Sequence, residues 1–379
     1  MNRNPKIKNI LKYISFSLAA SLLPILGLEL FLRIFLGYPK SIFNNIAGGL
    51  YPKNETIQMK WGFIPYTIVT NQIGLRGPDF PLNKPKHTIR IVAVGDSVTA
   101  GFFVDNDATY PHFLERMLNE KIGGDNRHVE LINAARGKAS IDFEILMIKE
   151  YAVPLKADYV LLTFVDNDIA EIRNKNSFDL VLLQMNEIRK TTVGQWLFTR
   201  TAIGELAFDL YLKYQSKKYR GYERFGGPAG GDERYNIKGG DDFARNVEIN
   251  KQFMRIDGTV FEEPYPPETL ETIDNYLLAL KYARDICNRN GIRLIYAYNP
   301  SYIQIYDTAS SMKMRDILKK ACEEDGIPFI DLTDIFRLKG KNKAIHLAPI
   351  DFHPNPEGNK VIAEGIADFL IKGKYLDIE

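Results

Sequence analysis

Three sets of residues in this 379-residue chain have types and settings that can do chemistry: a serine, a histidine with an aspartate two positions before it, and an asparagine between two aspartates. Ser97 lies in "IRIVAVGDSVTAG", where a run with the apolar content of a buried parallel strand gives way to Gly95, Asp96 and Ser97. A serine at such a point either caps the next helix or attacks an electrophile. His353 and Asp351 stand in "APIDFHPNPEGNKVIAEGI", just before a Pro-x-Pro-x-Gly turn that opens a helix. A serine nucleophile needs a base to take its proton and a carboxylate to hold that base in one tautomer, and this pair can supply both. Asn167 follows a second buried run in "YVLLTFVDNDIAE". Acyl transfer requires donors aimed at the oxyanion, and a side-chain amide is one. The other reading of Asp166-Asn167-Asp168 is a turn closed by Asx hydrogen bonds.

The elements that must position these residues alternate along the chain. Strand Ile89–Val94, a helix near Tyr110–Glu120, strand Val129–Ile132, helix Ile141–Tyr151 and strand Tyr159–Phe164 come first. The alternation lapses over about 174–267, where helical patterns at Phe178–Arg189 and Trp196–Lys218 precede "RFGGPAGGDERYNIKGGDDF", whose glycine content is that of a mobile loop. It resumes with helix Glu268–Asn290, strand Arg293–Asn299, helix Ser311–Asp325, strand Pro328–Asp331 and helix Pro356–Ile371. Buried strands alternating with helices predict a parallel sheet, and ligands bind beyond the carboxyl ends of such strands, where Ser97 and Asn167 both fall. The sequence predicts one interrupted α/β domain over 88–373 with an insertion at about 174–267, and 37–87 reads as a linker and irregular lead-in. No glycine fingerprint for a dinucleotide is present, and no cofactor is called for.

A formal net charge of +2 lacks the basic excess that phosphate neutralisation demands, which excludes nucleic acid as a partner. Cys287 and Cys322, the two cysteines, sit in amphipathic helical patterns and read as buried free thiols, and no metal-ligand spacing occurs. Ile14–Leu36 is a mostly apolar run of 23 residues preceded by Arg3, Lys6, Lys8 and Lys12. About 20 apolar residues span a bilayer core, and a basic flank stays on the cytoplasmic side. Residues 1–36 therefore read as a cytoplasmic N-terminus and an uncleaved transmembrane anchor, with the remainder outside the cytoplasm. Glu29 and Arg33 can pair at i,i+4 near the outer interface.

Taken in order, "VGDSVTAG", "NAARGKAS", "FVDNDI" and "IDFHPNPEGNKVIA" resemble the four blocks of the SGNH (GDSL-type) hydrolases over about 89–370. "LELFLRIFLGYP" followed by "NQIGLRG" resembles the lead-in of membrane-anchored bacterial members. The resemblance implies a three-layer α/β/α fold with a central parallel sheet, preceded here by the transmembrane helix. It also implies Ser97 as nucleophile, His353 as base, Asp351 as its partner, and an oxyanion hole of Asn167, the Ser97 N–H and a second-block N–H. That last donor is Gly137 or Lys138, because the family's usual glycine, five residues after the block's Asn, falls at Lys138 when counted from Asn133. The commoner terminal spacing is Asp-x-x-His; this chain has Ile350 there and Asp351 one nearer, as in some polysaccharide-modifying relatives. The nucleophile elbow of the α/β-hydrolases is excluded, since Thr99 occupies the last position of the Gly-x-Ser-x-Gly frame. The expected function is a serine esterase acting through an acyl-enzyme on an O-acyl ester, O-acetyl among the candidates, of a glycan or lipid. The alternatives are an O-acyltransferase of the same fold working on cell-envelope polysaccharide, and a non-catalytic polysaccharide-binding domain.

Overall fold

A strand whose successive residues are all apolar has no face to offer water, so it must be covered on both sides. The computed structural model describes residues 5–35, 51–61, 64–122, 127–137, 139–171, 201–203, 206, 233–235, 237, 239–257 and 263–376. They belong to two compact units, 1–49 with 188–218 and 50–187 with 219–379.

The first unit is built on helix α1 (Pro5–Phe35). Glu29 accepts hydrogen bonds from the backbone N–H groups of Ala202 and Ile203 at 2.9 and 3.1 Å and from Arg33 Nε at 2.8 Å. Leu32 is buried, whereas Leu22, Leu23, Ile25, Leu26, Leu28, Leu30, Phe31, Ile34 and Phe35 are exposed. Among the described residues no helix is long and apolar enough to cross a membrane.

The second unit opens with an antiparallel hairpin, β1 (Thr56–Trp61) and β2 (Ile64–Val69), in the segment the sequence presents as irregular. Then follow β3 (Thr88–Gly95), α2 (Ser97–Ala100), α3 (Tyr110–Ile122), β4 (His128–Asn133), α4 (Ile141–Met147), β5 (Tyr159–Phe164) and α5 (Asn167–Glu171). Beyond the insertion's first part come α6 (Phe243–Asp257), α7 (Pro267–Arg289), β6 (Arg293–Tyr298), α8 (Tyr302–Tyr306), α9 (Lys313–Glu324), β7 (Phe329–Asp331), α10 (Thr333–Gly340) and α11 (Pro356–Lys372). The five strands from β3 to β7 form one parallel sheet in the order β4-β3-β5-β6-β7. On one face Ile89, Ile91, Leu161 and Ile295 pack with Tyr110, Leu114 and Leu118 of α3 and with Val361, Ile362 and Ile366 of α11. On the other face Phe164 meets Tyr276 of α7 edge-on at 5.6 Å, and the Tyr276 and Tyr296 hydroxyls bond at 2.9 Å. Three layers result, with the apolar runs in the middle.

Some elements differ from the sequence expectation. The helix expected over 141–151 is α-helical only to Met147 and continues through Ile148–Ala152 as a wider π-turn. Helix α6 lies inside the insertion, beginning at the phenylalanine that closes the glycine-rich stretch, where no helix was expected. The patterns at 178–189 and 196–218 lie outside the described residues, apart from 201–203 and 206. Cys287 and Cys322 are buried and unbridged, and burial pushes both thiols up to about 12.

Arg76 ties the lead-in to the sheet. It is 4 % exposed, and its guanidinium donates to Ala100 O at 2.8 Å, to Gly101 O and Val104 O at 2.5 Å each, and to Asn106 Oδ1 at 2.8 Å. Asn106 in turn exchanges two hydrogen bonds with the backbone of Val69 on β2. Replacing Arg76 by Ala takes a shared donor from three carbonyls, at about 1–3 kcal/mol for each buried acceptor left unmet. The expected result is a loss of at least about 3 kcal/mol, read as a lower denaturant midpoint at unchanged m. Arg76→Lys should recover little, because an ammonium lacks the planar fork.

Candidate active site

Strand β3 ends at Gly95 because the chain must turn there against α2. A Cβ on Gly95 would stand 2.3 Å from Thr99 Oγ1 and 3.1 Å from Thr163 O, so only glycine permits the approach. The residue that caps α2 is Asp96: its Oδ1 accepts the Val98 N–H at 2.8 Å. Ser97 is thereby released from the capping role. The helix lasts four residues and stops at Gly101, whose φ of +73° is the left-handed conformation of a helix end. Ser97 is left half-buried at the carboxyl edge of the sheet.

The loop before α11 brings His353 to the same edge. Leu347 N–H donates to His353 O at 3.0 Å, and Asn355 caps α11 by accepting the Gly358 N–H at 3.0 Å, so both flanks of the histidine are fixed. His353 Nε2 lies 2.7 Å from Ser97 Oγ, and His353 Nδ1 lies 2.5 Å from Asp351 Oδ1. The same Asp351 oxygen accepts the His353 backbone N–H at 2.9 Å, which locks the x spacing of Asp-x-His into a small ring. It is therefore Asp351, and not a main-chain carbonyl, that meets the outer imidazole nitrogen. With Nδ1–H donating to Asp351, Nε2 is the acceptor facing the Ser97 hydroxyl. That hydroxyl has a second acceptor in Asp96 Oδ2 at 3.1 Å, the longer of the two contacts.

Electrostatics follow from this packing. Burial pulls His353 down, but Asp351, as charge and as hydrogen-bond partner, and then Asp96 more than offset it, so the imidazole is held above its ordinary 6.5. Burial raises Asp96, and the His353 charge, the Val98 N–H and donation from the Asn167 and Ser97 side chains oppose that rise. The Asn167 side chain thus lies beside Asp96, near the nucleophile. Gly137 is carried to the end of β3 by the Arg136 N–H, which donates to Gly95 O at 3.1 Å. Lys138 lies outside the described residues. Among the described residues no cluster of His, Cys, Asp and Glu is arranged to hold a metal ion.

Other residues complete the surroundings without having been singled out in the sequence. Asp96 is the hub, and its place inside Gly-Asp-Ser was the available signal. Phe102 lies nearly parallel to the His353 ring, 21° and 6.2 Å between centroids, while Phe103 meets it edge-on at 5.0 Å. Trp61, delivered by the hairpin, stacks on Phe103 at 4.6 Å. Aromatics in loops carry no periodic signal. A parallel sheet with helices on both faces, and Ser97, Asn167 and His353 at or near its carboxyl edge, is the arrangement that the resemblance to the SGNH hydrolases implies.

No protein-family profile matches the sequence, and no curated protein matches it closely enough to count as a relative. Similar solved structures include one described as an alpha/beta hydrolase enzyme from the metagenome of Lake Arreo, Spain, at 14% identity and a TM-score of 0.41, covering 76% of this chain and 96% of the other. An acetyl xylan esterase shares 15% identity at a TM-score of 0.40, covering 74% and 98%. A putative lipolytic protein of the G-D-S-L family from Desulfitobacterium hafniense DCB-2 shares 11% at 0.38, covering 74% and 98%.

The Asp351 contact generates a pH prediction. A base works only when neutral, so the acid limb of kcat/KM should lie above the ordinary imidazole value of 6.5, the direction in which Asp351 moves His353. Asp351→Asn removes that charge, so the limb should shift to lower pH and the rate at neutral pH should fall on the order of 10⁴. The measurement is the pH dependence of ester hydrolysis for the two proteins.

Proposed function

We propose that this SGNH-type ester hydrolase removes an O-acyl group, acetyl in the first instance, from a glycan or lipid outside the cytoplasm while α1 anchors it in a membrane. The observation that carries the chemistry is the 2.7 Å contact between Ser97 Oγ and His353 Nε2, with Asp351 on the far nitrogen. Ser97 Oγ attacks the ester carbonyl as His353 takes its proton. The negative charge that develops on the carbonyl oxygen is met by the Ser97 N–H, the Asn167 amide and the N–H of Gly137 or Lys138. Protonated His353, held by Asp351 on its far nitrogen, then gives the proton to the departing alkoxide. Water, deprotonated by the same imidazole, releases the acid and regenerates Ser97.

Anchoring is supported by the apolar side chains that α1 exposes and by the 23-residue run from Ile14 to Leu36 behind a basic flank. An enzyme held in this way faces O-acyl esters of envelope glycans and of lipids.

Ser97→Ala should abolish hydrolysis of p-nitrophenyl acetate and labelling by a fluorophosphonate, and His353→Ala should be about as damaging, because members of such a unit act together. Full hydrolysis by Ser97→Ala would sink the esterase reading. For the anchor, the full-length protein should sediment with membranes and resist carbonate extraction, and a form lacking 1–36 should be found in the soluble fraction and retain esterase activity. Release of the intact chain by carbonate would sink the anchor.

A further inference from the structure

Once Ser97 Oγ has bonded to a carbonyl carbon, that carbon carries three other groups. The oxyanion points to the N–H donors, the leaving oxygen to His353 Nε2, and the acyl substituent must find its own room. Phe102 stands beside two of the groups that surround that carbon, His353 and Gly137. Its N–H donates to Ser97 O at 3.0 Å, which fixes its backbone directly beyond α2. From there the ring reaches across between two parts of the site: it lies almost parallel to the His353 imidazole, and its tip rests on Gly137. A Cβ on Gly137 would stand 2.2 Å from Phe102 Cζ, so that glycine is the only residue that lets the ring lie where it does.

The ring is also held from behind. Phe103 meets it edge-on at 5.7 Å, and Phe103 is in turn packed between Trp61, stacked at 4.6 Å, and Tyr66, edge-on at 5.9 Å. Phe103 is 6 % exposed and sits at φ +67°. A bulky residue in the left-handed region is strained, and such strain persists where surrounding packing over-determines it. Here the strained residue directs one ring onto the imidazole and its neighbour over the oxyanion-side glycine.

We propose that Phe102 is the acyl-length determinant: a fixed aromatic wall between His353 and Gly137 that admits an acetyl group and excludes long acyl chains. The inference rests on the ester-hydrolase reading of Ser97. A rigid wall discriminates by overlap, and one methylene in or out of a fitted pocket changes kcat/KM about 10–200-fold. Alkyl carbons beyond the second therefore meet the ring, and removing the ring opens the space they need.

The test compares kcat/KM for p-nitrophenyl acetate and p-nitrophenyl hexanoate in the full-length protein, Phe102→Ala and Phe102→Leu. The parent should favour acetate by at least about tenfold. Phe102→Ala should raise the hexanoate-to-acetate ratio at least about tenfold over the parent, with Phe102→Leu between them. A ratio of two substrates on one sample does not depend on how much of a variant is folded, and Phe102→Leu serves should the alanine variant fail to fold. Intact-mass labelling by a fluorophosphonate, mapped to Ser97, is run beside it. If Ser97 is labelled but the parent shows no preference, or the ratio does not move in either variant, the wall is wrong and the esterase reading stands. If neither ester is cleaved and Ser97 is not labelled, the esterase reading falls and the wall with it.

Discussion

A carboxylate shut away from water must be met by donors, and the arrangement of this site follows from how the Asp96 carboxylate is met. One oxygen caps α2 at Val98, and the Ser97 hydroxyl and the Asn167 amide complete its surroundings. Because β3 and β5 are neighbours in the sheet, with Gly95 opposite Thr163, the chain segments leaving them meet at this group. The same buried group therefore holds the nucleophile and its helix in place, with the asparagine beside it. It also adds to the field that stabilises protonated His353. An apolar residue at this position would free the helix, the hydroxyl and the amide together.

Two histidines in one stretch show how surroundings divide identical side chains. His346 is buried against Tyr302 and Phe336, and burial, with the neighbouring His353 charge, takes it down to about 3. It stays neutral at any working pH and is a packing residue. His353, a few residues on, has a carboxylate at 2.5 Å and is driven the other way. Net charge and residue type do not separate the two; the position of Asp351 does.

What could be read from the sequence is what simple patterns encode. The strands at 89–94 and 159–164 were legible because unbroken apolar runs bounded by polar ends have one good solution, and the long amphipathic helices because their periodicity is strong. The polar residues at those strand ends were legible for the same reason, since a parallel sheet delivers them to one edge. Helix α6 was hidden by the glycine-rich stretch it follows. The hairpin was hidden because "WGFIPYTIV" reads as one extended piece, whereas β1 ends at Trp61 and β2 begins at Ile64. The π-turn after Met147 adds no residue type that would announce it. Asp96 as hub, Arg76 as clamp and the ring stack around His353 depend on contacts between segments far apart in the chain, which no local window contains.

Arg76 also bears on where the folding unit begins. Every strand of the large sheet lies at or beyond Thr88, so a boundary drawn by strands alone would fall there. Yet the loop directly behind the nucleophile, from Ala100 to Val104, takes its hydrogen-bond donor from a residue upstream of that line, and the Trp61 that packs behind Phe103 also comes from upstream. A chain cut at Thr88 would keep the complete sheet but leave the carbonyls of Ala100, Gly101 and Val104 without the donor they share. The lead-in is therefore a part of the site supplied in cis, and the α/β layer by itself is a scaffold that lacks it. Homologues with different lead-ins would need another side chain to close those carbonyls, and that substitute is where their sites should be compared.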